Sequence, residues 1–114
     1  MNSIFSSFRH ALEGFLTAIK TERNMKIHVV IGLLVIILGV YFHLSLLEWA
    51  ILSLTIGGML SIELINTAIE RVVDLETSEF HPLAKQAKDV AAAACFIFAC
   101  TSVVIGFMIF LPKL

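Results

Sequence analysis

Apolar blocks long enough to cross a lipid bilayer recur three times in this chain. The first runs over residues 27–47, the second over residues 49–69 and the third over residues 90–111. About 20 residues, rising about 1.5 Å each in a helix, cross the hydrocarbon core of a membrane. Composition agrees: of 114 residues, 59% are hydrophobic and 15% charged, and mean hydropathy is +0.96. A water-soluble domain of this length carries more charge. The expected fold class is therefore an all-α integral membrane protein. It is read as a single domain over residues 1–114, with membrane helices over 27–47, 49–75 and 85–111.

The segment before the first block reads differently. Over residues 3–20, Ile4, Phe5, Phe8, Ala11, Leu12, Phe15, Leu16 and Ile19 follow helical spacing, with Ser7, Arg9, His10, Glu13, Thr17 and Lys20 largely opposite. This predicts an amphipathic helix lying in the membrane interface rather than a span. Its N-terminal residues lack the basic run, apolar core and small-residue site of a cleavable leader. His28 and His43 bracket the first block and read as interface residues on opposite sides of the bilayer. Trp49 suits headgroup level. Gly57 and Gly58, in the middle of the second block, and Ala91 to Ala94 in the third are small enough for close helix packing. Cys95 and Cys100 lie five residues apart in one expected helix, on different faces, and read as unpaired thiols. Pro82 suits the first turn of the third membrane helix.

Basic residues set the expected orientation. Arg9, Lys20, Arg23 and Lys26 precede the first block, and Arg71, Lys85 and Lys88 flank the second connection. The first connection carries neither Lys nor Arg, and the C-terminus has Lys113 alone. The N-terminus and second connection are then cytoplasmic and the C-terminus outside. Net charge is −1, so no overall field points to nucleic acid or another polyanion.

Chemistry concentrates between Ser61 and Leu75. Glu63 falls inside the apolar part of the second block, where a lipid-facing charge costs about 2.5–3.5 kcal/mol on insertion scales. Such a residue faces a bundle interior or polar cavity. At about 100° per residue, Asn66, Glu70 and Asp74 fall with Glu63 in an arc of about 80°. One helix stripe thus carries three carboxylates and an amide toward the cytoplasmic surface, while Arg71 and Glu76 lie off it. The stripe suits a catalytic site, helix-bonding glue or an ion path. Lys85, Lys88 and Asp89 open the third membrane helix. A Lys there opposes the helix dipole, so Lys88 needs an anionic partner: Glu70, Asp74, a lipid phosphate or a nucleotide phosphate. Glu22 lies before the first span at the level of Glu70, and two such carboxylates could hold Mg2+ together with substrate phosphates. The sequence contains no GxxxxGK[ST], HRD, DFG, GxGxxG, HExxH or CxxC, which excludes a soluble kinase architecture and gives no sign of zinc.

These residues resemble the prokaryotic diacylglycerol kinase and undecaprenol kinase family. The likeness rests on Glu63, Asn66, Thr67, Glu70, Val73 and Asp74, on His81 followed by Ala87, Lys88, Asp89 and an alanine run, and on Glu22-Arg23-Asn24. It covers nearly the whole chain. The resemblance implies a homotrimer with active sites built from more than one subunit, transferring the γ-phosphoryl of MgATP to a lipid hydroxyl. It implies Glu63 as general base and Asn66 orienting the reacting groups. Lys88 meets the phosphates with Asp89 beside it, Glu22 and Glu70 hold magnesium, and Asp74 and His81 lie toward the nucleotide. The junction from Glu22 to His28 looks like the Gram-positive form, which favours undecaprenol over diacylglycerol. The expected place is a bacterial plasma membrane. A small multidrug transporter with a membrane carboxylate and a non-enzymatic accessory subunit are the rival classes.

Overall fold

The computed structural model describes residues 3–114. Four α-helices follow in order: α1 (Ile4–Thr21), α2 (Arg23–Tyr41), α3 (Leu46–Glu76) and α4 (Pro82–Phe110), closed by a 3-10 turn at Leu111–Lys113. No strand occurs among the described residues. Helices α2, α3 and α4 are each long and apolar enough to cross a membrane. With 31 residues, α3 is about 46 Å long, against a hydrocarbon core of about 30 Å. Roughly ten of its residues therefore stand clear of the lipid at one end or the other.

Each break between helices has a local cause. One residue, Glu22, separates α1 from α2; its backbone is extended (φ −113°, ψ 119°), and its N–H bonds the Ala18 carbonyl at 2.9 Å. Helix α2 stops at Tyr41, short of residue 47, which the apolar run alone had suggested. His43 adopts a left-handed backbone (φ 54°), and the N–H of Leu44 returns to the Gly39 carbonyl at 3.3 Å. The next helix starts three residues earlier than expected because Ser45 and Glu48 form a capping box. The Glu48 N–H donates to Ser45 Oγ at 3.1 Å, and the Ser45 N–H donates to Glu48 Oε1 at 2.9 Å. Glu48 also pairs with Lys113 at 3.0 Å, tying the end of α4 to the start of α3. Pro82 occupies the first turn of α4, and His81 caps it by accepting the Leu83 N–H on Nδ1 at 3.1 Å.

The main packing is α3 on α4, and α2 packs on α3 as well. Leu44, Leu52 and Ile109 form a small core near the Ser45 end, packed by Val35, Trp49, Ile56 and Ile105. Many other large apolar side chains point outward, including Leu54, Phe96 and Met108, as lipid solvent permits and water does not. The paired glycines divide. Gly58 faces the Phe98 ring so closely that a Cβ would overlap it, whereas Gly57 has open space. Of the alanine run, Ala91 is buried and Ala92 to Ala94 are exposed. Cys95 is half-buried and Cys100 exposed, both unpaired.

Gly58→Ala drives a methyl into the Phe98 ring and is expected to destabilise the α3–α4 pair by about 1–3 kcal/mol. Thermal unfolding in detergent checks this, and adding Phe98→Leu to Gly58→Ala should recover part of the loss. Independent, additive effects of the two substitutions would show that the contact does not govern packing.

Candidate active site

Helix α3 carries its polar stripe from a buried to an exposed environment. Glu63 is 4% exposed, Asn66 and Glu70 are intermediate, and Asp74 is exposed. The burial gradient follows the rotation expected of residues three and four apart on one face. Thr67 is buried beside this stripe, its hydroxyl bonding the Glu63 carbonyl at 3.0 Å. Its local bond satisfies the hydroxyl without disturbing the helix ladder.

Two neighbouring helices close around Glu63. His28 of α2 places Nε2 3.4 Å from Glu63 Oε2, with the His28 side chain 22% exposed. Cys95 of α4 packs against the same stretch of α3, its Sγ 3.8 Å from the carbonyl of Ile62, the residue before Glu63. The interface reading of His28 is thus corrected: the imidazole turns inward to the carboxylate. The Glu22–Arg71 contact explains the level: His28 lies six residues after Glu22 and Glu63 eight before Arg71, so antiparallel helices bring His28 and Glu63 nearly level, a relation the sequence alone did not signal. The Asn66 side-chain oxygen is buried and has no hydrogen-bond partner. A buried acceptor left unpaired is costly, so it is available to a donor brought by substrate.

Below this level the charges are paired across helices. Arg71, set aside on the wheel, reaches the α1–α2 break: Nη2 lies 2.6 Å from Thr21 Oγ1 and 3.5 Å from Glu22 Oε2. This contact brings Glu22 to the level of Glu70, the neighbour of Arg71 in sequence. Lys88 bonds Asp74 at 2.5 Å, and Lys85 bonds Asp89 at 2.6 Å. Of the anionic partners open to Lys88, the chain itself supplies Asp74. Asp74, His81, Lys85 and Lys88 line one cavity of about 520 Å³, roofed by the connection from Thr77 to Phe80. A second, apolar groove of about 400 Å³ runs between α2, α3 and α4 from His28 past Val35 and Met59 to Leu114.

The site therefore has three levels: a buried carboxylate with an imidazole beside it, a middle level with Glu70 and the Arg71–Glu22 pair, and an open cavity lined by Asp74, Glu79, His81, Lys85 and Lys88, charges of both signs. No cluster of three His, Cys, Asp or Glu side chains able to hold a metal occurs among the described residues.

Known proteins resemble this chain over nearly its whole length. Residues 9–110 match the family described as prokaryotic diacylglycerol kinase. The chain is 52% identical over 114 residues to the undecaprenol kinase of Bacillus subtilis (strain 168), covering all of this chain and 93% of that protein. It is 41% identical over 113 residues to a diacylglycerol kinase of Synechocystis, covering 98% of this chain and 65% of that protein. A diacylglycerol kinase of Helicobacter pylori is 38% identical over 94 residues, covering 82% of this chain and 73% of that protein. With a buried carboxylate on α3, an open charged cavity beyond it and this likeness over nearly its whole length, the chain belongs to the prokaryotic diacylglycerol kinase family, a family of lipid kinases.

Proposed function

We propose that this protein transfers the γ-phosphoryl group of MgATP to the hydroxyl of a membrane lipid, with Glu63 as general base. The observation that carries the reading is the gradient along α3, from Glu63 at 4% exposure to the Asp74–Lys88 pair at the open cavity. An apolar alcohol meets the buried end and a water-borne triphosphate the open end. The groove that begins at His28 suits the chain of a lipid whose hydroxyl lies against Glu63.

In this reading Glu63 accepts the hydroxyl proton as the alcohol oxygen bonds to the γ-phosphorus. The bond from that phosphorus to the β–γ bridging oxygen breaks, and ADP leaves. Such a transfer needs positioning and charge neutralisation more than covalent chemistry from the protein. Asn66 orients the reacting groups with its free oxygen. The Lys88–Asp74 pair is open to solvent, with side chains 39% and 64% exposed, so a phosphate exchanges readily for Asp74. Asp89, held by Lys85, stands beside Lys88, and His81 lines the same cavity. Glu22 and Glu70 would hold the magnesium ion, whose charge when bound offsets that of the phosphates.

We take the chain as one domain. Helix α1 lies in the membrane interface, its exposed Ile4, Phe5, Phe8 and Leu12 in the acyl boundary. The N-terminus is cytoplasmic, the C-terminus outside, and the membrane is the plasma membrane of a bacterium. The working form is a homotrimer. One chain offers a magnesium ion two carboxylates at one level, and a neighbouring copy can complete the site. The full-length likeness to the Bacillus enzyme favours undecaprenol as substrate. The relatives that bear the name diacylglycerol kinase support diacylglycerol as the second reading.

Purified protein with radiolabelled ATP and either lipid decides between them: undecaprenol is expected to be labelled faster than diacylglycerol, and the reverse order reverses the assignment. Glu63→Gln is expected to lower kcat by about 10²–10⁴-fold, the usual range for a lost general base, while the oligomer stays assembled by size-exclusion chromatography. Turnover near the parent's would refute the base. Glu70→Gln is expected to raise the magnesium concentration needed for half-maximal rate, and an unchanged requirement would count against its role at the metal.

A further inference from the structure

We propose that His28 is the positioning residue for Glu63, donating a hydrogen bond from Nε2 that holds the base in its reacting orientation. The inference rests on the reading of Glu63 as the base, and nothing in the family resemblance assigns His28 a role. Three observations carry it. Nε2 lies 3.4 Å from Glu63 Oε2, a separation that tightens to a good hydrogen bond when substrate closes the site. The imidazole is mostly shielded at 22% side-chain exposure, and Glu63 at 6%, so the contact is not a loose surface pair. His28 also stands at one end of the apolar groove, between that groove and the carboxylate.

The physical need is plain. A Glu side chain has three rotatable bonds, and the backbone of α3 does not set its carboxylate plane. The Thr67 hydroxyl nearby is already committed to the Glu63 carbonyl. A thiol such as Cys95 is a weak donor. His28 is the strong donor in reach, and it comes from another helix, so its bond fixes the carboxylate relative to α2 as well as α3. One oxygen held by Nε2–H leaves the other to take the proton of the alcohol. Ordering of this kind acts on the reacting complex and not on nucleotide affinity, because the open cavity lined by Asp74 and Lys88 lies several turns away along α3.

The test compares His28→Leu, His28→Asn and His28→Gln in the full-length protein, assayed in mixed micelles with undecaprenol and MgATP. A Gln amide reaches toward the place of Nε2, whereas an Asn amide stops nearer Nδ1. The expected result is that kcat falls about 100-fold in the Leu and Asn variants, as about 1 Å of misplacement can cause. His28→Gln should stay within about fivefold of the parent, and KM for MgATP within about twofold in all three. A Leu or Asn variant with parental kcat overturns the proposal, as does a Gln variant as slow as Asn. Should His28→Leu fail to assemble, the Asn–Gln pair still decides, since both keep a polar side chain of similar bulk. Glu63→Gln run alongside separates the two readings. If it stays active, the base assignment fails. If it is inactive while His28→Asn is normal, only the role of His28 fails.

Discussion

A carboxylate inside an apolar slab constrains everything around it. Glu63 cannot face lipid without an insertion penalty of about 2.5–3.5 kcal/mol, so the chain must wrap it. It does so with three helices: α3 bears the residue, α2 contributes His28 at 3.4 Å, and α4 contributes Cys95, whose thiol meets the Ile62 carbonyl next to it. Closing that pocket requires α3 and α4 to approach tightly, which the Phe98 ring against Gly58 permits. The glycine is therefore part of the pocket's construction, about one and a half turns from Glu63 along α3.

Beyond the pocket, the helix register of α3 does two jobs at once. The three- and four-residue spacing from Glu63 through Asn66 and Glu70 to Asp74 keeps one face polar. The length of the helix carries that face out of the apolar zone toward water. Polarity and exposure both rise along one axis, from the buried Glu63 to the exposed Asp74. The cross-helix ion pairs Arg71–Glu22 and Lys88–Asp74 knit the open end. Being partly exposed, they are contacts that a ligand can rearrange.

The capping chemistry at the opposite end has a different purpose. The Ser45–Glu48 box and the Glu48–Lys113 pair hold the α2–α3 turn and the end of α4 together where the apolar core is small. Cap, ion pair and core supply there what the polar contacts supply at the site. Most of the remaining apolar surface is left to lipid or to other copies of the chain.

Hydropathy and helical spacing by themselves determined the three membrane helices and the polar stripe of α3, and the identities of residues such as Glu63, Asn66, Glu70 and Asp74 carried the likeness to a lipid kinase family, because each is a property of residues near one another in sequence. Pro82 as a helix start and a partner for Lys88 were legible for the same local reason. Only the tertiary structure decided which helices meet at each level. The turn by which α2 ends at Tyr41 rather than residue 47 depends on a left-handed His43 and on Ser45 capping, which an apolar run conceals. The inward turn of His28 and the reach of Arg71 to Thr21 and Glu22 are contacts between helices. A wheel drawn for one helix carries no information about its neighbours' rotation, and that rotation is what joins the imidazole to the buried carboxylate.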